Sequence, residues 1–320
     1  MGIQKIIMSF IVFCVMTISG FVNLNTCNTH FIKQKKKQFC YISFVRADGT
    51  LFLVKQKRKI SDLLAVVFDV LAAHIAEHLN IAHQVKLIPA FKKFPGKIYD
   101  DWPATIHTLA SGSTINGKRS VYKKMNIKQA CLGLRREMIE WMARHKQLVK
   151  IVALDIFLCN HDRHRGNLFY NAKTDSFCAI DMDLLYEYNL PLYAHQNLQR
   201  MAEYDLFPLT VKEFFALFEL RKTLEFLVRT FSADDIHALF DQLIDQAGIT
   251  DHAFLQTKRT MARIDVTRRM ISQSYKDTIV LIKVLGDIIK QGLDEMPGLR
   301  CFQEIEDFEK QYEQAACITR

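Results

Sequence analysis

Short apolar runs at 39–45 (FCYISFV) and 51–56 (LFLVKQ) flank the polar stretch RADGT (46–50). This pattern predicts a strand, an Asp48-Gly49 turn and a second strand. Residues 23–38 are polar and basic, and suit a linker or a first strand. Ser61 and Asp62 then open a helix over about 62–79, with Leu64, Val67, Phe68, Leu71, Ile75 and Leu79 at helical spacing. VKLIPAF (85–91) reads as a further strand. The first hundred or so residues therefore predict a small antiparallel sheet carrying one helix.

Beyond Pro103 the pattern turns mostly helical. SGSTINGKRS (111–120) reads as a loop, 131–158 as one or two helices, and 159–186 as a loop followed by a short hairpin. From Val211 to Tyr312 the spacing predicts four or five amphipathic helices. Ser232 with Asp235 predicts a capping box at one helix start, and Gly248 the matching stop. There is no internal repeat and no low-complexity segment.

Composition sharpens this picture in three ways. Of 320 residues 49% are apolar, and only 12 are Gly and 6 Pro, so the chain buries a sizeable core and is not disordered. The net charge of +9 favours anionic partners such as nucleotide phosphates or an acidic membrane surface. Nucleic acid is not an expected partner, since Lys and Arg are spread along the whole chain and no recognition-helix signature is present. The eight cysteines show no CxxC or Cys/His metal spacing. Those at 131, 159 and 178 lie in apolar stretches, as expected of buried thiols in a reducing compartment.

At the N-terminus, residues 6–22 carry no charge, and Lys33, Lys35, Lys36 and Lys37 follow. Three readings stay open: a cleaved signal peptide with export, a membrane anchor whose C-terminal side faces the cytosol, or a buried core element.

The densest chemistry lies in LDIFLCNHDRHRGN (154–167) and CAIDMD (178–183), which bring Asp162, His164, Asn167, Asp181 and Asp183 into 22 residues. A magnesium-dependent phosphoryl-transfer site needs one carboxylate near the attacking hydroxyl, and an amide and a second carboxylate on the metal. Asp162 is placed to orient or accept the hydroxyl proton, and Asn167, five residues later, to reach the metal. Asp181 is the carboxylate for magnesium between phosphates, with Asp183 beside it. Arg163 and His164 hold the loop or contact phosphate.

Upstream, strand alternation turns Lys55 to the face opposite Val54. There it either stands in water or reaches ATP phosphates from the sheet. Such a lysine is normally oriented by a carboxylate on the following helix. Asp69 interrupts the apolar run VVFDVLAA and is preferred over Glu77. No glycine-rich loop precedes Lys55; KQKKKQ (33–38) occupies its place. His74 and His78 stand i, i+4 without an HExxH pattern, so no zinc site is assigned.

LDIFLCNHDRHRGNLFY followed by CAIDMDLLY resembles the catalytic and metal loops of the phosphatidylinositol 3-/4-kinase group, most of all its type II 4-kinase branch. That branch carries N-x-D-R-H-x-x-N and then an I-D pair. The chain is also similar to HipA-type serine/threonine kinases, which share N-x-D-x-H-x-x-N. The specific match covers about 30 residues, with a weaker one over 39–91. Met182 after Asp181, and the missing glycine loop, depart from the pattern.

The resemblance implies an α+β, two-lobed kinase-like fold using ATP and Mg2+. Lys55 and Asp69 would serve ATP binding, Asp162 and His164 catalysis, and Asn167 and Asp181 the metal. The acceptor would be a phosphoinositide hydroxyl, or a protein hydroxyl in the HipA-type alternative; a weakly catalytic pseudokinase scaffold is the third reading. The expected layout is a signal or anchor segment over 1–25, a small ATP-binding lobe over 26–102, and a helical large lobe over 103–320.

Overall fold

A computed structural model describes residues 29–295, apart from 38–39, 48–49, 60–61, 82–84, 89–101, 110–112, 115–133, 165, 172, 175, 205–208 and 251–255. The apolar N-terminal segment, most of the 111–120 loop and all residues after 295 lie outside the described part. Among the described residues no helix is long and apolar enough to cross a membrane.

Strands β1 (Thr29–Lys36), β2 (Cys40–Ala47) and β3 (Thr50–Lys57) form an antiparallel meander, joined by β4 (Val85–Ile88) and β5 (Ala104–Thr108) in the order β1-β2-β3-β5-β4. Ala47 faces Thr50 across the β2–β3 connection, and all eight residues of each strand find partners; the expected Asp48-Gly49 turn itself lies outside the described residues. The sequence pattern starts the helical part at residue 103, but the sheet extends past it: β5 sits between β3 and β4 as an inner strand. ATIHT alternates over only four residues, Ala104 and Ile106 on one face and Thr105 and His107 on the other, and all four are buried, as in a strand covered on both faces.

One face of the sheet gathers Val45, Phe52, Val54, Ile88, Ala104 and Ile106 into a small apolar cluster. The other carries Lys55 opposite Thr105, with Lys57 two residues further along β3. Helix α1 (Leu64–Glu77) packs against β3, β4 and β5. It ends where Asn80 takes a left-handed turn, with the Ile81 amide donating to Ala76 O.

The second lobe begins with α2 (Arg136–Arg144) and α3 (Lys146–Phe157). Every α3 residue from 151 to 157 is buried, so this helix is apolar all round and forms the centre of the main core. A three-stranded sheet follows, made by β6 (Ser113–Thr114), β7 (Leu168–Asn171) and β8 (Ser176–Ala179). Helices α4 (Leu190–Tyr204), α5 (Val211–Thr230), α6 (Ala233–Gln246) and α7 (Lys258–Glu295) complete the lobe. The architecture is thus the two-lobed α+β fold expected from the sequence: a small antiparallel sheet with one helix beside a mainly helical lobe.

The sequence pattern anticipated the ends of α6. Ser232 and Asp235 form a reciprocal capping box, and Gly248, at φ 72°, closes the helix as Ile249 donates to Ile244 O. Three helices cover the described part of 211–295, α7 running unbroken for 38 residues; the remainder of the 211–312 stretch, for which four or five helices are expected, lies outside the described residues. Gly286 and Gly292 are the only glycines of α7, which has no proline; a glycine lowers helix stability by about 1 kcal/mol without breaking the helix.

Candidate active site

Helix α3 delivers the first loop. Its last turn closes with Cys159 left-handed (φ 53°), and the Asn160 amide donates to Asp155 O at 2.8 Å. Asp155 lies inside the apolar helix with its side chain 2% exposed, and its charge is balanced by Arg163, whose side chain is fully buried. The guanidinium meets both carboxylate oxygens at 2.9 Å and donates through Nη1 to Asn167 O and Ile180 O. Asn160 adds a 2.7 Å hydrogen bond to Asp155 and accepts the Asp162 amide. One buried cation thus ties α3, the loop after it and the segment following β8 together, and the Ile180 amide donates back to Asn167 O.

Within that frame Asn167 is buried. Its amide donates to Asp162 O at 2.6 Å, and its oxygen accepts the His164 amide at 2.9 Å. Asn167 therefore braces the loop, and its oxygen retains a second lone pair for a cation. The Asp162 side chain remains partly open, with His164 Nε2 at 3.9 Å. His164 Nδ1 in turn accepts the Gly166 amide.

The metal loop leaves β8 at Ile180, and Asp181 adopts φ 58°. A left-handed aspartate costs about 1–2 kcal/mol and marks a conformation imposed by its surroundings. That conformation turns the Asp181 carboxylate toward the small sheet, where it pairs with Lys55. Lys55 also reaches Asp183 at 2.9 Å and Asp69 at 3.2 Å. The second oxygen of Asp69 accepts the Met182 amide at 2.9 Å, so α1 grips both the lysine and the metal loop. Glu77, the alternative helix carboxylate, is exposed. Met182, which follows Asp181, buries its side chain in the main core.

Two ammonium groups, Lys55 and Lys57, serve three carboxylates here, and the charge balance shows in the ionisation. Burial works against charge on Lys55, but Asp69, Asp181 and Asp183 outweigh it and hold its pKa well above the ordinary value. Burial pushes the Asp69 carboxyl up to about 6; Lys55 opposes this, while Asp183 and Asp181 add to it. Burial also acts to raise Asp183, yet Lys55 and Lys57 together keep it below the usual carboxylate range.

The structure thus brings Lys55, Asp69, Asp181 and Asp183 into one cluster. It sets Asp162, His164 and Asn167 on the adjoining loop, joined to the cluster through Arg163 and Ile180. Sequence reasoning gave no role to three members of this assembly. Lys57 shares the parity of Lys55 on β3, Asp155 is a lone charge in an apolar helix, and Asn160 is the first letter of the loop motif. The first two signals were of the kinds that singled out Lys55 and Asp69.

No family model matches the chain, and no curated protein matches it significantly. Among solved structures it is similar to the Helicobacter pylori proinflammatory kinase CtkA, with a TM-score of 0.47 and 12% identity, over 82% of this chain and 97% of that one. It is also similar to a Plasmodium vivax ethanolamine kinase, with a TM-score of 0.30 and 13% identity, over 79% of this chain and 85% of that one.

Proposed function

We propose that the chain is a magnesium- and ATP-dependent phosphotransferase whose acceptor is a phosphoinositide hydroxyl. The observation that carries this reading is the buried Lys55–Asp69 pair, held against Asp181 and Asp183 beside the Asp162 loop. Lysine on an inner strand, carboxylate on the next helix, and a loop aspartate before a metal-loop aspartate are the parts phosphoryl transfer requires. In this reading Lys55 contacts ATP phosphates and Asp69 orients it. Asp162 takes the hydroxyl proton as the acceptor oxygen bonds to the γ-phosphorus and the bond to the ADP oxygen breaks.

The donor set suits magnesium. Asp69, Asp181 and Asp183 offer carboxylate oxygens within 4.8 Å of one another, all hard ligands. Asp181 and Asn167 would hold the ion, with Asp183 adjacent. When bound it would neutralise charge on the transferring phosphates.

Two features support a lipid acceptor. The net charge of +9 suits an anionic surface. Tyr188, Leu192 and Tyr193 are exposed, and the Tyr188 ring lies 4.8 Å from that of His161, next to Asp162. Tyrosine and leucine side chains of this kind suit the interfacial layer of a bilayer.

The test is incubation of the full chain with radiolabelled ATP, magnesium, and either phosphoinositide vesicles or a protein mixture. Lipid label that disappears in Asp162→Ala is the expected result. Label on protein alone would replace the acceptor with a protein hydroxyl. Label on neither, with no thermal shift by ATP, would refute the phosphotransferase reading.

A further inference from the structure

A nucleotide site without a glycine-rich loop lacks the backbone amides that usually surround the phosphates. The small sheet carries a second buried cation where that loop would lie. Lys57 is 5% exposed and projects from the same face of β3 as Lys55. Its cross-strand partner is Cys40, the first residue of β2. Cys40 O accepts the Lys37 amide across the β1–β2 connection, the segment that covers phosphates in kinases. Arg58 donates to Lys37 O at 3.0 Å and fastens the end of β3 to that connection. Lys57 therefore stands between the metal loop and the β1–β2 turn, with its ammonium on Asp183.

We propose that Lys57 is a second phosphate-binding residue, which does with a side-chain cation what glycine-loop amides do elsewhere. The inference rests on the ATP reading above and extends it. Without Lys57 the cluster has one ammonium for three carboxylates, a poor setting for a triphosphate, which adds several negative charges. With Lys57 a second cation meets the same Asp183 oxygen, Oδ2, as Lys55 does, and both are already stripped of most water. A phosphate oxygen approaching Lys57 therefore meets an ammonium whose desolvation was met in folding. Asp183 holds this ammonium in place until the phosphate arrives, and the flexible lysine stem lets it turn from one oxygen to the other.

The test compares ATP, ADP and adenosine binding by the full chain, its Lys57→Met and Lys57→Arg variants, using calorimetry, with KM and kcat for ATP alongside. The expected result is weakening of ATP and ADP by about tenfold or more in Lys57→Met, with adenosine unchanged, KM rising more than kcat falls, and partial recovery in Lys57→Arg. Equal weakening of all three ligands in Lys57→Met, or ATP affinity equal to the native value in a folded variant, would overturn the inference alone. A Lys57→Met chain that does not fold passes the decision to Lys57→Arg. There, a longer, forked cation that alters ATP and ADP affinity but not adenosine affinity supports the assignment, and one that alters none of them refutes it. No ATP binding by the native chain would overturn this inference together with the phosphotransferase reading.

Discussion

Replacing Arg163 by methionine removes the cation that joins α3, the loop carrying Asp162 and Asn167, and the segment Ile180–Asp183. The consequence follows from burial: the Arg163 side chain is fully inaccessible and that of Asp155 is 2% exposed. The substitution leaves the Asp155 carboxylate in the core with the Asn160 amide as its remaining side-chain donor. It also strips donors from Asn167 O and Ile180 O. Breaking a buried ion pair from one side costs about 3–5 kcal/mol, and the two carbonyls place the expected loss toward the upper end. Asp155→Leu should cost a similar amount, because it leaves the guanidinium buried without a countercharge. The double variant should lose less than the sum of the singles, by on the order of 2–3 kcal/mol, since neither charge then remains unpaired. Urea unfolding of the three variants and the native chain measures each term. A cost for Arg163→Met below about 1 kcal/mol, or strict additivity in the double variant, would refute the assignment of this pair as the brace of both loops.

Four further outcomes are expected. Asp69 must be ionised to orient Lys55, so ATP turnover should fall as pH drops through about 6, and Asp69→Asn should remove that limb along with most activity; an unchanged profile below pH 6 would contradict the pairing. The same raised pKa makes Asp69 favour the fold at low pH, a contribution lost as pH climbs from 3.8 toward 6, which acid titration of stability can detect. Burial raises the Cys159 thiol to about 12, against smaller opposing hydrogen bonds at Leu190 and Ser274; labelling of this residue at pH 8, followed by mass spectrometry, should therefore proceed only at the rate of protein opening. Glu213 accepts from Thr210 and from Arg136 at 3.0 Å, so Glu213→Ala should cost about 2–3 kcal/mol in urea unfolding, beyond the ~1 kcal/mol of a simple cap.

How much of this was legible in the sequence depends on the range of the forces involved. The β2–β3 pairing, α1 and the ends of α6 follow from local patterns: alternating apolar runs close in the chain, helical spacing, a capping box and a terminal glycine. Residues a few positions apart settle these features, and the structure reproduces them. Strand β5 was not read from the sequence because its alternation spans only Ala104–His107, and its place in the sheet comes from pairing with β3 and β4. The length of α7 is likewise a tertiary matter, since α4, α5 and α6 all pack along it.

The site divides along the same line. The sequence by itself determined which groups are present: a loop with Asp162 and Asn167, a metal loop with Asp181 and Asp183, and lysine and aspartate interrupting apolar runs at 55 and 69. Side-chain chemistry and spacing are enough for that. Only the tertiary structure decided which charges share an environment. Lys55 and Asp183 lie 128 residues apart in the chain, and their Nζ–Oδ2 distance is 2.9 Å. Burial then makes every unmatched charge costly, so the count of two ammonium groups for three carboxylates, invisible in the sequence, sets the ionisation of Asp69 and gives Lys57 its place beside Lys55.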